Sequence, residues 1–235
     1  MNALFVLGHM RCYSSLLCHI LGSHPEIDGY CETHIKYRWR PDLLRLRRRV
    51  ARLTGEPLRG RYVLDKMLHN YPLAPSIVSR GTTRALVLLR RPPAALLSVV
   101  SLGREHIDVG WYQDFERVTG YYESRLARLA MLARALGRRA LFVEAESLLT
   151  HPERVLARIA SFLELSSPLA TRYRSFAHTG EPGYGDPSAL LLAGEVQAAA
   201  PPPHARGDCE LPREYALRAE RAYAACRAQL LASCI

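Results

Sequence analysis

Arg11, Ser14 and Ser15 lie within five residues of one another, directly after the apolar run Leu4-Phe5-Val6-Leu7-Gly8 and ahead of Leu16-Leu17. A guanidinium, two hydroxyls and the unpaired amides of a helix's first turn, gathered where the helix macrodipole is positive, form a cradle for a phosphate-like anion. Set against the phosphate-binding pattern G-x-x-x-x-G-K-S/T, Gly8 takes the first glycine position. Tyr13 then stands at the second glycine, Ser14 at the lysine and Ser15 at the hydroxyl. The positive charge has moved forward to Arg11. A strand, a turn and a helix with a serine-rich N-cap have the same local pattern, so residues elsewhere must decide between the two.

The elements that would carry these residues can be read from apolar periodicity. Ala3 to Leu7, Tyr62 to Leu64, Ala85 to Leu89 and Ala140 to Val143 are short apolar runs bounded by charges or turns, as buried parallel strands are. Helical stretches lie between them. These are Ser14 to Leu21, the arginine-rich Asp42 to Leu53, a helix opened by Pro92-Pro93 that runs through Leu102, Tyr121 to Leu136, Pro152 to Leu163 and a terminal Leu211 to Leu231. Thr179 to Pro203, rich in Gly, Pro and Ala, reads as a loop with a helical turn at Ser188 to Leu192. The alternation predicts an α/β protein: a three-layer P-loop-like fold with a central, mainly parallel sheet flanked by helices, one domain over residues 1–235. Ligands of such sheets bind outside the carboxyl ends of the strands. Arg11 with Ser14 and Ser15, then Asp65-Lys66 with His69, then Arg90-Arg91 should therefore meet in one cleft.

Charge agrees with an anionic ligand. The chain has 32 basic against 22 acidic residues, a formal +10, and Lys36 and Lys66 are its only lysines. Nucleic acid is the competing reading of that balance, but basic stripes interleaved with aromatics are missing. The densest run, Arg45-Leu46-Arg47-Arg48-Arg49, sits on a predicted helix as a solvated or substrate-facing surface. Cys12, Cys18, Cys31, Cys209, Cys226 and Cys234 show no CxxC pair, which argues against a zinc site and for reduced thiols. No apolar run approaches the ~18 residues that span a bilayer, and no cleavable leader is apparent. The expectation is a cytoplasmic protein with neither membrane nor nucleic acid as partner.

Arg11-Cys12-Tyr13-Ser14-Ser15 resembles the 5′-phosphosulfate loop of the sulfotransferases that use 3′-phosphoadenosine 5′-phosphosulfate (PAPS), in particular the bacterial P-loop type. In that family a basic residue and a small residue precede a Ser/Thr pair, and a small, flexible residue stands where this chain has Tyr13. Arg90 followed eight residues later by Ser98 resembles the family's 3′-phosphate signature, and Arg206-Gly207 its later phosphate loop. The segments Phe142 to Glu153 and Gly185-Asp186-Pro187-Ser188 also resemble bacterial members, with Val143 where many have an aromatic residue.

The resemblance implies PAPS as donor, 3′-phosphoadenosine 5′-phosphate (PAP) as product and no requirement for a metal. Donor-binding residues would be Arg11, Cys12, Tyr13, Ser14, Ser15, Arg90, Ser98, Arg206 and Gly207. It implies Glu32 as first candidate for the base, His69 as its rival and His34 as third. Lys66 is implied to carry charge on the transferring group together with Arg11; Asp65 beside it reads as an ion-pair or capping partner in preference to a second base. A carboxylate near Arg11 and Lys66 has its pKa lowered by those cations and raised by desolvation. The acceptor would be a hydroxyl, less readily an amine, of a small molecule, natural product or glycan. Residues from Glu32 to Leu53 and from Leu102 to Tyr122 are its expected walls. Trp39, Trp111, Tyr112 and Phe115 there suit a ring or polyketide-like acceptor, and the arginines an acidic one. Two alternatives stay open: an ATP-dependent P-loop phosphotransferase, which needs a loop lysine and a magnesium-binding carboxylate, and a non-catalytic protein that binds anions or nucleic acid. The oligomeric state is not set by any of these residues.

Overall fold

In the computed structural model, which describes residues 2–105, 109–181, 184, 186, 189–197 and 210–235, side chains alternate along each strand and sort the core into two halves. The strands are β1 (Asn2–Leu7), β2 (Ile27–Asp28), β3 (Tyr62–Met67), β4 (Thr83–Leu89) and β5 (Ala140–Glu144). All are parallel, in the order β2-β3-β1-β4-β5. The helices are α1 (Ser14–Gly22), α2 (Asp42–Thr54), α3 (Pro75–Val78), α4 (Pro92–Glu105), α5 (Phe115–Leu136), α6 (Ser147–Thr150), α7 (Pro152–Leu163), α8 (Ala189–Leu192) and α9 (Arg213–Ser233).

Leu4, Val6, Leu64, Leu86, Leu88, Leu141 and Val143 face one side, where Leu17 and Leu21 of α1 and Leu156 and Ile159 of α7 cover them. Phe5, Leu7, Val63, Met67, Val87, Leu89 and Phe142 face the other, under α2, α4, α5 and α9. This period of two makes three layers, with the sheet in the middle. The predicted α/β, P-loop-like class is the one observed. Among the described residues no helix is long and apolar enough to cross a membrane.

The order of the strands also decides where the chain diverges. The connection leaving β1 passes through α1 towards the β2 edge, whereas the one leaving β4 passes through α4 and α5 to the β5 edge. The crevice at such a switch point lies at the carboxyl ends of β1 and β4, where Gly8 to Tyr13 and Arg90 emerge.

Three differences from the sequence reading bear on the site and its frame. β3 continues through Asp65 and Lys66 to Met67, because the parallel ladder pairs Phe5 with Asp65, Val6 with Lys66 and Leu7 with Met67. The two charged side chains are therefore inside the strand and buried on opposite faces of the sheet. α5 begins at Phe115, six residues before the expected Tyr121. Its start is set by Asp114, whose side chain accepts from the amides of Glu116 and Arg117 as an N-cap, and this holds the helix through Gly120. β2 is two residues long, too short for any periodicity to announce it.

Candidate active site

The loop that joins β1 to α1 is tightly wound. Gly8 is needed because a Cβ there would lie 2.6 Å from the Cys12 sulfur. Arg11 and Tyr13 adopt φ of 62° and 59°, the left-handed region that favours glycine. This accounts for the small, flexible residue of the resembling loops at the position of Tyr13. Here the ring is accommodated by turning it onto Arg90, whose guanidinium lies 4.4 Å from the ring centroid. Ser14 and Ser15 open α1 and are buried, where the first-turn amides have no partner within the helix.

Arg90, at the exit of β4, is held along its backbone as well as by its side chain. Its N–H donates to His9 Nε2 (3.0 Å), its carbonyl accepts from the Tyr122 hydroxyl (2.7 Å), and its Nη1 donates to the Arg11 carbonyl (2.7 Å). Because Nε2 accepts, the His9 proton sits on Nδ1, which donates to the Met10 carbonyl at 2.9 Å. Complete burial pushes the His9 pKa down to about 3, so the ring is a neutral spacer. Burial likewise lowers the Arg90 pKa.

On the other side of the cradle, Lys66 Nζ donates to Ser15 Oγ at 3.0 Å and pairs with Glu32 Oε1 at 3.5 Å. Burial works to depress the Lys66 pKa, but the Glu32 charge and the Cys18 and Cys31 thiols outweigh it and the pKa stands raised. Lys66 is thus a cation inside the protein, fixed between a hydroxyl of the cradle and a carboxylate. Glu32 is set in place by its neighbour. Thr33 donates to Asp65 from both its amide (2.9 Å) and its hydroxyl (2.8 Å), and Tyr37 adds a third donor at 2.6 Å. Asp65 is an anchor in a polar cluster on the far face of β3, and burial raises its pKa to about 6.

Arg11 links the two halves. Its Nε donates to Ser98 Oγ (2.8 Å) and its Nη1 pairs with Asp186 Oδ1 (2.7 Å), while the Asp186 amide donates to Ser15 Oγ at 3.1 Å. Ser98 therefore meets the loop arginine, and Arg90 reaches the same loop through a backbone carbonyl. His69 stands at the exit of β3 with its ring 5.8 Å from that of Tyr71 and 5.7 Å from that of Tyr121. Burial lowers its pKa, against the charge of Glu32. His34 Nδ1 lies 3.9 Å from Glu32 Oε2. Trp111 packs on Tyr112 and Tyr121, which brings that aromatic group to the His69 side, whereas Trp39 is 60% exposed. Arg206 and Gly207 lie outside the described residues.

One contributor was not singled out from sequence, and a second only within a resembling segment. Arg125 is fully buried in α5, donating to the carbonyls of Gly8 (2.7 Å), Met67 (2.6 Å) and His69 (2.8 Å) and to Asn70 Oδ1 (3.2 Å). It ties together the chain leaving β1 and β3, and burial lowers its pKa to about 10. A signal was present: Arg125 falls on the apolar face of α5 with Val118, Tyr122, Leu126 and Leu129, where a charge needs a reason. Asp186 lies in the Gly185-Asp186-Pro187-Ser188 segment singled out by resemblance, but its contacts could not be read there, since its partners are more than 170 residues away.

The sheet order, the loop ahead of α1 and the crevice at the β1 and β4 ends define an α/β protein of the P-loop-like class. Among solved structures, the fold is similar to the sulfotransferase domain from the Synechococcus PCC 7002 olefin synthase, with a TM-score of 0.64 and 19% identity over 95% of this chain and 94% of that one. It is also similar to the sulfotransferase domain from the curacin biosynthetic pathway, with a TM-score of 0.55 and 14% identity over 95% and 96%. No protein-family model and no curated protein matches the chain. The chain has the sulfotransferase fold.

Proposed function

We propose that this chain is a sulfotransferase that moves a sulfuryl group from PAPS to an acceptor hydroxyl. The observation that carries the reading is the position of Lys66. A buried ammonium, bonded to Ser15 in the first turn of α1 and paired with Glu32, sits where a transfer between an anionic donor and a hydroxyl needs both a cation and a base. The chemistry of the donor set fits PAPS. Arg11, Ser14, Ser15 and the α1 amides suit the 5′ end, and Arg90 with Ser98 the 3′-phosphate.

In this reading Glu32 takes the proton of the acceptor hydroxyl as its oxygen bonds to sulfur. Lys66 and Arg11 neutralise the electron pair that stays on the 5′-phosphate oxygen when its bond to sulfur breaks. Electrostatics and positioning then supply most of the rate. His69, beside Tyr71 and Tyr121 and within the field of Glu32, is the second candidate for the base. The aromatic group of Trp111, Tyr112 and Tyr121 lies on the acceptor side and favours an apolar or ring-bearing natural product over a glycan. The ATP reading lacks its lysine, since Ser14 stands at that position of the loop.

Titration calorimetry with adenosine 3′,5′-bisphosphate, ATP with Mg²⁺ and single-stranded DNA tests the proposal. Binding of the bisphosphate with labelled-sulfate transfer from PAPS to a hydroxyl acceptor is expected. Binding of ATP with Mg²⁺ alone, or of DNA alone, overturns it.

A further inference from the structure

Asp186 has no task in the mechanism above, yet it touches two groups of the cradle. Its Oδ1 lies 2.7 Å from Arg11 Nη1, and its amide donates to Ser15 Oγ. The segment leading to it is tied to α1. Thr179 Oγ1 bonds His19 Nε2 at 2.9 Å, His19 Nδ1 bonds the Ser15 carbonyl at 2.8 Å, and Phe176 stacks on Tyr30 with centroids 4.1 Å apart. A carboxylate is thereby brought back onto the same helix turn from far along the chain. Two of the cradle's cations are thus matched, Lys66 by Glu32 and Arg11 by Asp186, while Arg90 lies over the Tyr13 ring.

A phosphate brought to the Arg11 guanidinium would stand beside the Asp186 carboxylate that lies 2.7 Å from Nη1, and two anions in that space repel. We propose that Asp186 is an internal anion that holds Arg11 against Ser98 before the donor binds, and that the donor's 5′ anionic group takes its place. The inference rests on the donor-binding role proposed for Arg11. The exchange is feasible because both side chains are partly open, 21% for Arg11 and 28% for Asp186. It also confers selectivity. A small inorganic anion gains little by displacing one for one, whereas a ligand anchored at Arg90 as well displaces Asp186 with its second end already held.

The test is calorimetry of adenosine 3′,5′-bisphosphate and of pyrophosphate with the wild type, Asp186→Asn and Asp186→Glu at one low ionic strength. Removing the competing charge of a partly exposed pair is expected to tighten both ligands about two- to fivefold in Asp186→Asn, with Asp186→Glu close to the wild type. Equal or weaker binding by Asp186→Asn overturns the inference and makes Asp186 a support for Arg11 instead. If pyrophosphate gains in Asp186→Asn while the bisphosphate binds none of the three, the exchange stands and the donor reading fails. No binding of either anion to any of them overturns both.

Discussion

Replacing Asp65 by asparagine should stabilise the protein increasingly as pH rises. The carboxylate is 1% exposed and its pKa is raised from 3.8 to about 6, with burial as the leading cause and the bonds from Tyr37 and Thr33 opposing it. A folded-state pKa above the unfolded value means that the native state binds the proton more tightly. The stability from Asp65 is therefore present below pH 3.8 and is lost as pH rises through 6. Integrating the two titrations, the raised pKa costs about 2 kcal/mol of stability at pH 5 and about 3 kcal/mol at pH 7.5. Asparagine has no such titration. It keeps an acceptor for two of the three donors and sets its amide against the third, a loss of about 1–2 kcal/mol that does not depend on pH. The difference in unfolding free energy, Asp65→Asn minus wild type, should then grow by about 1 kcal/mol between pH 5 and pH 7.5. Urea unfolding of both proteins at the two pH values measures it, and the titrations of groups that do not interact with Asp65 cancel in the subtraction. A difference that is flat, or that shrinks with pH, would refute the account of Asp65 as a buried anion.

His9 and His19, whose pKa values are pushed down to about 3 and about 4 chiefly by burial, act in the opposite direction. Their contribution is present above pH 6.5 and lost as pH falls, about 2 kcal/mol each by pH 5. Urea curves should show stability falling from pH 7.5 to pH 5 in the wild type, and falling further in Asp65→Asn, which lacks the opposing titration. Glu32→Gln and Lys66→Ala should each lower turnover by roughly 10²- to 10³-fold with little change in bisphosphate affinity, whereas Arg90→Ala should mainly weaken binding. Unchanged turnover in Glu32→Gln would transfer the base to His69. Arg125→Lys keeps a buried charge but cannot span the carbonyls of Gly8, Met67 and His69, and should destabilise by about 3 kcal/mol in urea; a loss below about 1 kcal/mol would mean those carbonyls find other donors.

Much of the fold was legible because it is written in short-range pattern. The strand cores and most helices follow from runs of Leu, Val and Ala bounded by charge, and the cradle from residues that are neighbours in the chain. What was misjudged had a local cause as well. Asp65 and Lys66 look like a strand end because charges usually mark one, but the ladder to Phe5 and Val6 carries the strand through them. Asp114 announces α5 by capping, a signal that periodicity alone passes over.

By itself, the sequence determined that Ser14 and Ser15 open a helix after a buried strand with Arg11 in the loop before it, and that Lys66 and Arg90 belong to other strands or their ends. Only the tertiary structure decided which of them touch. Lys66 reaches Ser15 and Glu32, Ser98 meets Arg11, Tyr13 covers Arg90, and Asp186 returns to the cradle. The reason is physical: an element depends on periodicity over a few residues, whereas a contact of about 3 Å depends on strand register and helix rotation set by the whole core. Arg125 shows the limit most clearly. Its charge is tolerated inside the protein only because three carbonyls from two strand exits converge on it, and that convergence is a property of the folded sheet.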